Sequence, residues 1–202
     1  PVFIGNDCLV MENSVIRGPF SMLNSSVVKV SSKIYEGCSL GPYTKVGGEL
    51  NNCNFFGYSS KSHDGFLGNS VIGEWCNFGA GTNNSNLKNN YANVKLWNYE
   101  SRTFLDTKLQ FCGMIMGDHS KTSINSMINT GTVIGVGVNL FGSGFTRNFV
   151  PSFSWGGSSG FIEHSFEKFL ITSKKVMLRR NIELDKSLIS IYESVNKLTK
   201  RY

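Results

Sequence analysis

The chain carries three histidines, His63, His119 and His164, and five cysteines, Cys8, Cys38, Cys53, Cys76 and Cys112. No two histidines lie a few residues apart and no cysteines stand in CxxC spacing, so no metal site is expected. The scattered thiols read as reduced residues of a cytoplasmic protein rather than a disulfide scaffold. By spacing alone, His63-Asp64 is a surface turn pair. The cations are more suggestive: the net charge is +6, and Lys174, Lys175, Arg179, Arg180, Lys197, Lys200 and Arg201 crowd the C-terminal tail. With no aromatic-basic motif beside them, nucleic-acid binding is not expected, and attraction of small phosphorylated ligands is the simpler use of that charge.

The elements that must position these residues follow from a period of six. Ile4, Val10, Ile16, Met22, Val28, Ile34, Leu40 and Val46 fill eight consecutive slots with aliphatic side chains. Neither a helix nor a flat sheet has that period, whereas a parallel β-helix gives each hexapeptide one short strand, one turn and one inward side chain. Further runs at Phe66, Ile72 and Phe78, and at Met116, Thr122, Ile128, Ile134 and Leu140, are expected to continue the inward column. Glycines directly after the inward position, as in Ile4-Gly5, Val46-Gly47, Ile72-Gly73, Phe78-Gly79 and Ile134-Gly135, are expected at corners needing positive φ. The fold expected is an all-β solenoid over residues 1–150, with a loop excursion at about 83–110.

Beyond residue 150 the pattern changes. Phe153-Ser154-Trp155-Gly156-Gly157 reads as a turn or linker, and residues 151–202 as linker plus helices. Phe166, Phe169, Leu170, Val176 and Met177 have helical spacing. A second helix over 184–198 has an apolar stripe of Leu184, Leu188, Ile191, Tyr192, Val195 and Leu198. The expectation is a helical cap on the end of the solenoid. At the other end, Pro1-Val2-Phe3-Ile4-Gly5 is already in phase, which suggests a fragment whose missing N-terminal part supplies the other cap. No apolar stretch is long enough to span a membrane as a helix.

The run from His63 to Thr82, His63-Asp64-Gly65-Phe66-Leu67-Gly68-Asn69-Ser70-Val71-Ile72-Gly73-Glu74-Trp75-Cys76-Asn77-Phe78-Gly79-Ala80-Gly81-Thr82, resembles the acetyltransferase signature of the bifunctional sugar-1-phosphate nucleotidylyltransferase / glucosamine-1-phosphate N-acetyltransferase family. Asn86-Leu87-Lys88, Val94-Lys95 and Gly117-Asp118-His119-Ser120-Lys121 resemble its archaeal-type branch more closely. The resemblance implies a left-handed β-helix with C-terminal helices, a homotrimer with sites between subunits, and an absent N-terminal nucleotidyltransferase domain using Mg2+. It implies acetyl-CoA as co-substrate and an amino-sugar 1-phosphate, glucosamine 1-phosphate first, as acceptor. Residue by residue, it implies His63 as general base, Phe66, Asn77, Asn86 and Lys95 against the acceptor, and Ala80 and Gly142 against acetyl-CoA. The chemistry agrees with the residue type: only an amine lone pair attacks a thioester, and an imidazole can take the proton released.

Two departures bear on the acceptor. Phe66 stands where the family's uridyltransferase-type members have tyrosine, and Leu40-Gly41-Pro42 lacks their arginine; Lys33 and Lys45 are candidates to replace that charge. The alternative is a catalytically degenerate module that trimerises or regulates a nucleotidylyltransferase. A third reading is an acyltransferase for another amino-sugar nucleotide. His119 is expected at a structural corner.

Overall fold

In the computed structural model, which describes residues 1–200, the hexapeptide pattern winds into a left-handed parallel β-helix of about nine turns, followed by a short helical segment. Arg201 of the basic tail lies outside the described residues. Short strands stack in three columns. The first runs through Val2–Ile4, Phe20–Met22, Cys38–Leu40, Met114–Met116 and Thr132–Ile134. The second runs through Leu9–Val10, Val27–Val28, Lys45–Val46 and Ser60–Lys61, and after a one-residue bridge at Asn77 continues through Lys121–Thr122 and Asn139–Leu140. The third includes Val15–Ile16, Lys33–Ile34, Asn83–Asn84 and Met127–Ile128. One turn takes three hexapeptides, so Val2 pairs with Phe20 and Phe20 with Cys38. Met22, Val28, Ile34, Leu40 and Val46 are at most 1 % exposed inside the prism, each such burial contributing about 1.5–3 kcal/mol. Ile4 and Val10, in the same inward phase, are exposed.

The corners do not use glycine as the spacing predicts. The left-handed position instead falls three residues after the inward side chain, where glycine does stand at Gly37, Gly81, Gly131 and Gly137 (φ 66–79°), and Ser25, Ser31, Tyr43, Trp75, His119 and Asn125 take it at φ of 55–60°. The glycine immediately after the inward residue answers a different demand, close approach between stacked turns. A Cβ on Gly79 would lie 2.3 Å from the Ser123 carbonyl, and one on Gly47 2.4 Å from the Ser62 oxygen.

Glu49–Gly57 and Phe66–Glu74 each run straight through a corner and pair from Glu49↔Phe66 to Gly57↔Glu74. The shortened turns shift the phase, so Leu67 fills the inward slot, 1 % exposed, and Phe66, expected there, lies half-buried outside. After Asn83–Asn84, which pair with Met127–Ile128 and belong to the solenoid, residues 85–113 leave it. They carry an antiparallel hairpin, Lys95–Asn98 with Thr103–Asp106, before Ile115 pairs with Val71.

Ser154–Gly157 is a rung rather than the expected linker: it pairs with Asn139–Leu140 and folds back on Gly160–Glu163. Helix α1 spans Phe166–Leu178, with the Ser165 hydroxyl accepting from the Lys168 N–H; α2 spans Lys186–Thr199, with Asp185 accepting from the Leu188 N–H at 2.8 Å. The two helices lie along the edge between the first and second columns instead of closing the end. Phe169 and Tyr192 bury against Phe153 and Val136 of that edge, and both rings meet His119, at centroid distances of 5.6 and 5.4 Å. Two members of the expected α2 stripe, Ile191 and Leu198, are 55 % and 72 % exposed, because the buried face centres on Leu188 and Tyr192 and leaves them at its margin.

Candidate active site

On the second column, outward residues fall in single file because the strands are parallel and in register: Lys45 pairs with Ser60, Ser60 with Asn77, and Asn77 with Lys121. His63 stands at the corner just beyond Ser60–Lys61. These residues open onto one cleft of about 410 Å3, whose far wall is Val176, Arg179 and Arg180 at the C-terminal end of α1. Tyr58 and Trp75 complete the wall on the helix side, stacked at 4.2 Å with Tyr43 beyond them at 5.3 Å. The His63 imidazole is exposed and, among the described residues, makes no hydrogen bond, so the turn pairing with Asp64 does not form. Its backbone is fixed instead: the Lys61 ammonium donates to the His63 carbonyl at 2.6 Å.

The cleft is cationic and uncompensated. Lys45, Lys121, Arg179 and Arg180 line it and, among the described residues, no carboxylate does. The ion pairs among those residues are Lys108–Asp106 and Lys200–Glu163, both elsewhere. Burial, and then the charges of Arg180, Lys29 and Arg179, pull the Lys45 ammonium below its usual pKa. Burial does the same to Lys121, whose Nζ donates to the His119 carbonyl at 2.8 Å. Like charges held together with no counter-ion favour an anionic ligand.

Of the residues the family resemblance points to, Asn77 shares the cleft with His63. Ala80 and Gly142 lie on the same edge: the register Ser60–Asn77–Lys121–Asn139 carried three residues on gives His63–Ala80–Ile124–Gly142. The Asn125 N–H donates to the Ala80 carbonyl at 2.7 Å, and a Cβ on Gly142 would meet nothing within 4 Å. Phe66 and Asn86 are not in the cleft. They flank Gly68 on the third column, with Asn86 donating to Asn69 Oδ1 at 2.7 Å. Lys95 is exposed at the foot of the excursion hairpin. Of the two candidates for replacement charge, Lys45 lines the cleft with His63, whereas Lys33 lines a separate hollow with Arg17 and Tyr35.

Lys121, Arg179, Arg180, Tyr58 and Trp75 have no counterpart among the expected site residues. Arg179 and Arg180 were visible only as tail charge, and nothing in a linear pattern shows that α1 folds back beside residue 63. His119 is 1 % exposed, neither ring nitrogen has a hydrogen-bond partner among the described residues, and burial depresses its pKa to about 3. It serves as a neutral aromatic spacer between Trp75 and the helices. His164 is buried, with Nδ1 2.9 Å from the Gly137 carbonyl. No group of His, Cys, Asp and Glu among the described residues could hold a metal ion.

No protein-family model matches this sequence, and no curated protein does. Solved structures do resemble it. A point mutant of AntD, an N-acyltransferase from Bacillus cereus in complex with dTDP and coenzyme A, is 14 % identical at a TM-score of 0.49, over 86 % of this chain and 88 % of that one. The polysialic acid O-acetyltransferase OatWY is 15 % identical at a TM-score of 0.46, over 80 % of this chain and 87 % of that one. The polySia-specific acetyltransferase NeuO is 10 % identical at a TM-score of 0.42, over 96 % and 98 % of the two chains. At such identities, the chemistry rests on this chain's own residues.

Proposed function

We propose that this protein transfers an acetyl group from acetyl-CoA to the amine of an amino-sugar phosphate, glucosamine 1-phosphate being the first candidate. The observation that carries the reading is the sharing of one cleft by an unpartnered imidazole, His63, an amide, Asn77, and four cations without a lining carboxylate among the described residues. The amine lone pair attacks the thioester carbonyl, the C–N bond forms, and the C–S bond breaks. His63 takes the ammonium proton and returns it to the departing thiolate, and a backbone N–H near Ala80 steadies the developing oxyanion. Lys45, Arg179 and Arg180 hold the sugar phosphate, and Asn77 a sugar hydroxyl. The donor lies along the edge of Ala80 and Gly142, where missing or small side chains leave the backbone open to a ligand. Phe66, Asn86 and Lys95 lie outside the cleft of His63 in one chain, which favours a homotrimer whose sites are completed by a second subunit.

The test is acceptor choice. Thiol release from acetyl-CoA is followed with glucosamine 1-phosphate, galactosamine 1-phosphate and unphosphorylated glucosamine. Turnover with a phosphorylated amine and a kcat/KM at least about tenfold lower without the phosphate, on the order of one charge-assisted contact, is expected. Equal turnover with and without phosphate would remove the phosphate role, and no turnover with any amine would leave the degenerate module as the better account.

A further inference from the structure

The inward slot of the second column is apolar at almost every rung: Val28, Val46, Phe78 and Leu140 are at most 5 % exposed. Between Val46 and Phe78 it holds Lys61, 2 % exposed and paired in register with Val46. An aliphatic residue would pack there as its neighbours do, and a buried ammonium loses its hydration for only partial return. Among the described residues no carboxylate pairs with it: Lys61 Nζ donates to two backbone carbonyls, Gly47 at 3.1 Å and His63 at 2.6 Å. Those carbonyls belong to successive turns, at the corner from which the His63 imidazole enters the cleft. Burial lowers the Lys61 pKa to about 8, Asp64 and then Cys53 opposing that shift.

We infer that Lys61 is a positioning residue, retained against the packing preference of its slot because its ammonium ties the His63 carbonyl to the turn beneath and so holds the imidazole at the acceptor amine. This rests on the assignment of His63 as base. The buried apolar rungs supply stability; this one exchanges stability for a fixed backbone at residue 63, the trade expected where geometry matters more than packing.

Lys61→Met fills the slot without charge or donors. The expected result has three parts: a thermal midpoint at or above wild type; an NMR order parameter of the His63 amide falling from about 0.85 to below about 0.6; and kcat for thiol release reduced about 100-fold, the loss that about 1 Å of misplacement brings, with KM for acetyl-CoA unchanged. An unchanged His63 order parameter in folded Lys61→Met overturns the inference. So does failure of both Lys61→Met and Lys61→Leu to fold, which makes the lysine structural. The relaxation measurement needs no turnover: if the wild type releases no thiol, the acyl-transfer reading fails while the positioning role is still decided.

Discussion

Two buried titratable side chains, His119 and Lys61, both make stability rise with pH, but in different windows. His119 is depressed to about 3 in the folded chain against about 6.5 unfolded, so on acidification the unfolded chain takes up the proton first. Its contribution is intact above about pH 6.5 and is lost as pH falls toward 3, by roughly 5 kcal/mol. Lys61 is also depressed, but at the alkaline end. Its charge costs stability below about pH 8, and the cost is relieved as pH rises toward 10.4, by roughly 3 kcal/mol. Urea unfolding as a function of pH checks both: His119→Phe should flatten the acid slope and Lys61→Met the alkaline rise. Phenylalanine suits the left-handed corner, since Phe153 occupies an equivalent one at φ 55°. Slopes that survive these substitutions would assign the titrations to other groups.

At the scale of elements, the C-terminal end of α1 is where solenoid and helices jointly make a site. Arg179 and Arg180 face Lys45 across the cleft, and their charges contribute to lowering its pKa. Replacing both arginines by alanine is expected to raise KM for a sugar phosphate on the order of 100-fold, two charge-assisted contacts at about 1.4 kcal/mol each, with little change in KM for acetyl-CoA. An unchanged acceptor KM would detach α1 from substrate binding. This partnership was not legible in the sequence. Helical spacing revealed α1 and α2 and the basic tail, but packing against the corner of His119 and Phe153, rather than across the open end, depends on tertiary contacts with no linear period.

Over the whole molecule, the period of six was legible wherever the turns are regular, because one inward aliphatic per hexapeptide is a physical requirement of the prism. It failed where Glu49–Gly57 and Phe66–Glu74 skip a corner, which moved the inward slot from Phe66 to Leu67 and put Lys61 inside. The same irregular turns carry His63, so the break in the repeat lies at the candidate site itself. Ala80 and Gly142 share its edge, but Phe66, Asn86 and Lys95 do not. A site completed between subunits predicts a mass three times that of the 22.4 kDa chain by light scattering; a monomer that turns over would rule that arrangement out.

The central claim, that His63 in this cationic cleft is the base of an acetyl transfer, is tested most directly by thiol release from acetyl-CoA in the presence of glucosamine 1-phosphate, comparing wild type with His63→Ala. The predicted result is turnover in the wild type, lost by a factor of about 10²–10⁴ in the variant while its unfolding midpoint stays the same. Equal turnover in the two proteins would contradict the assignment.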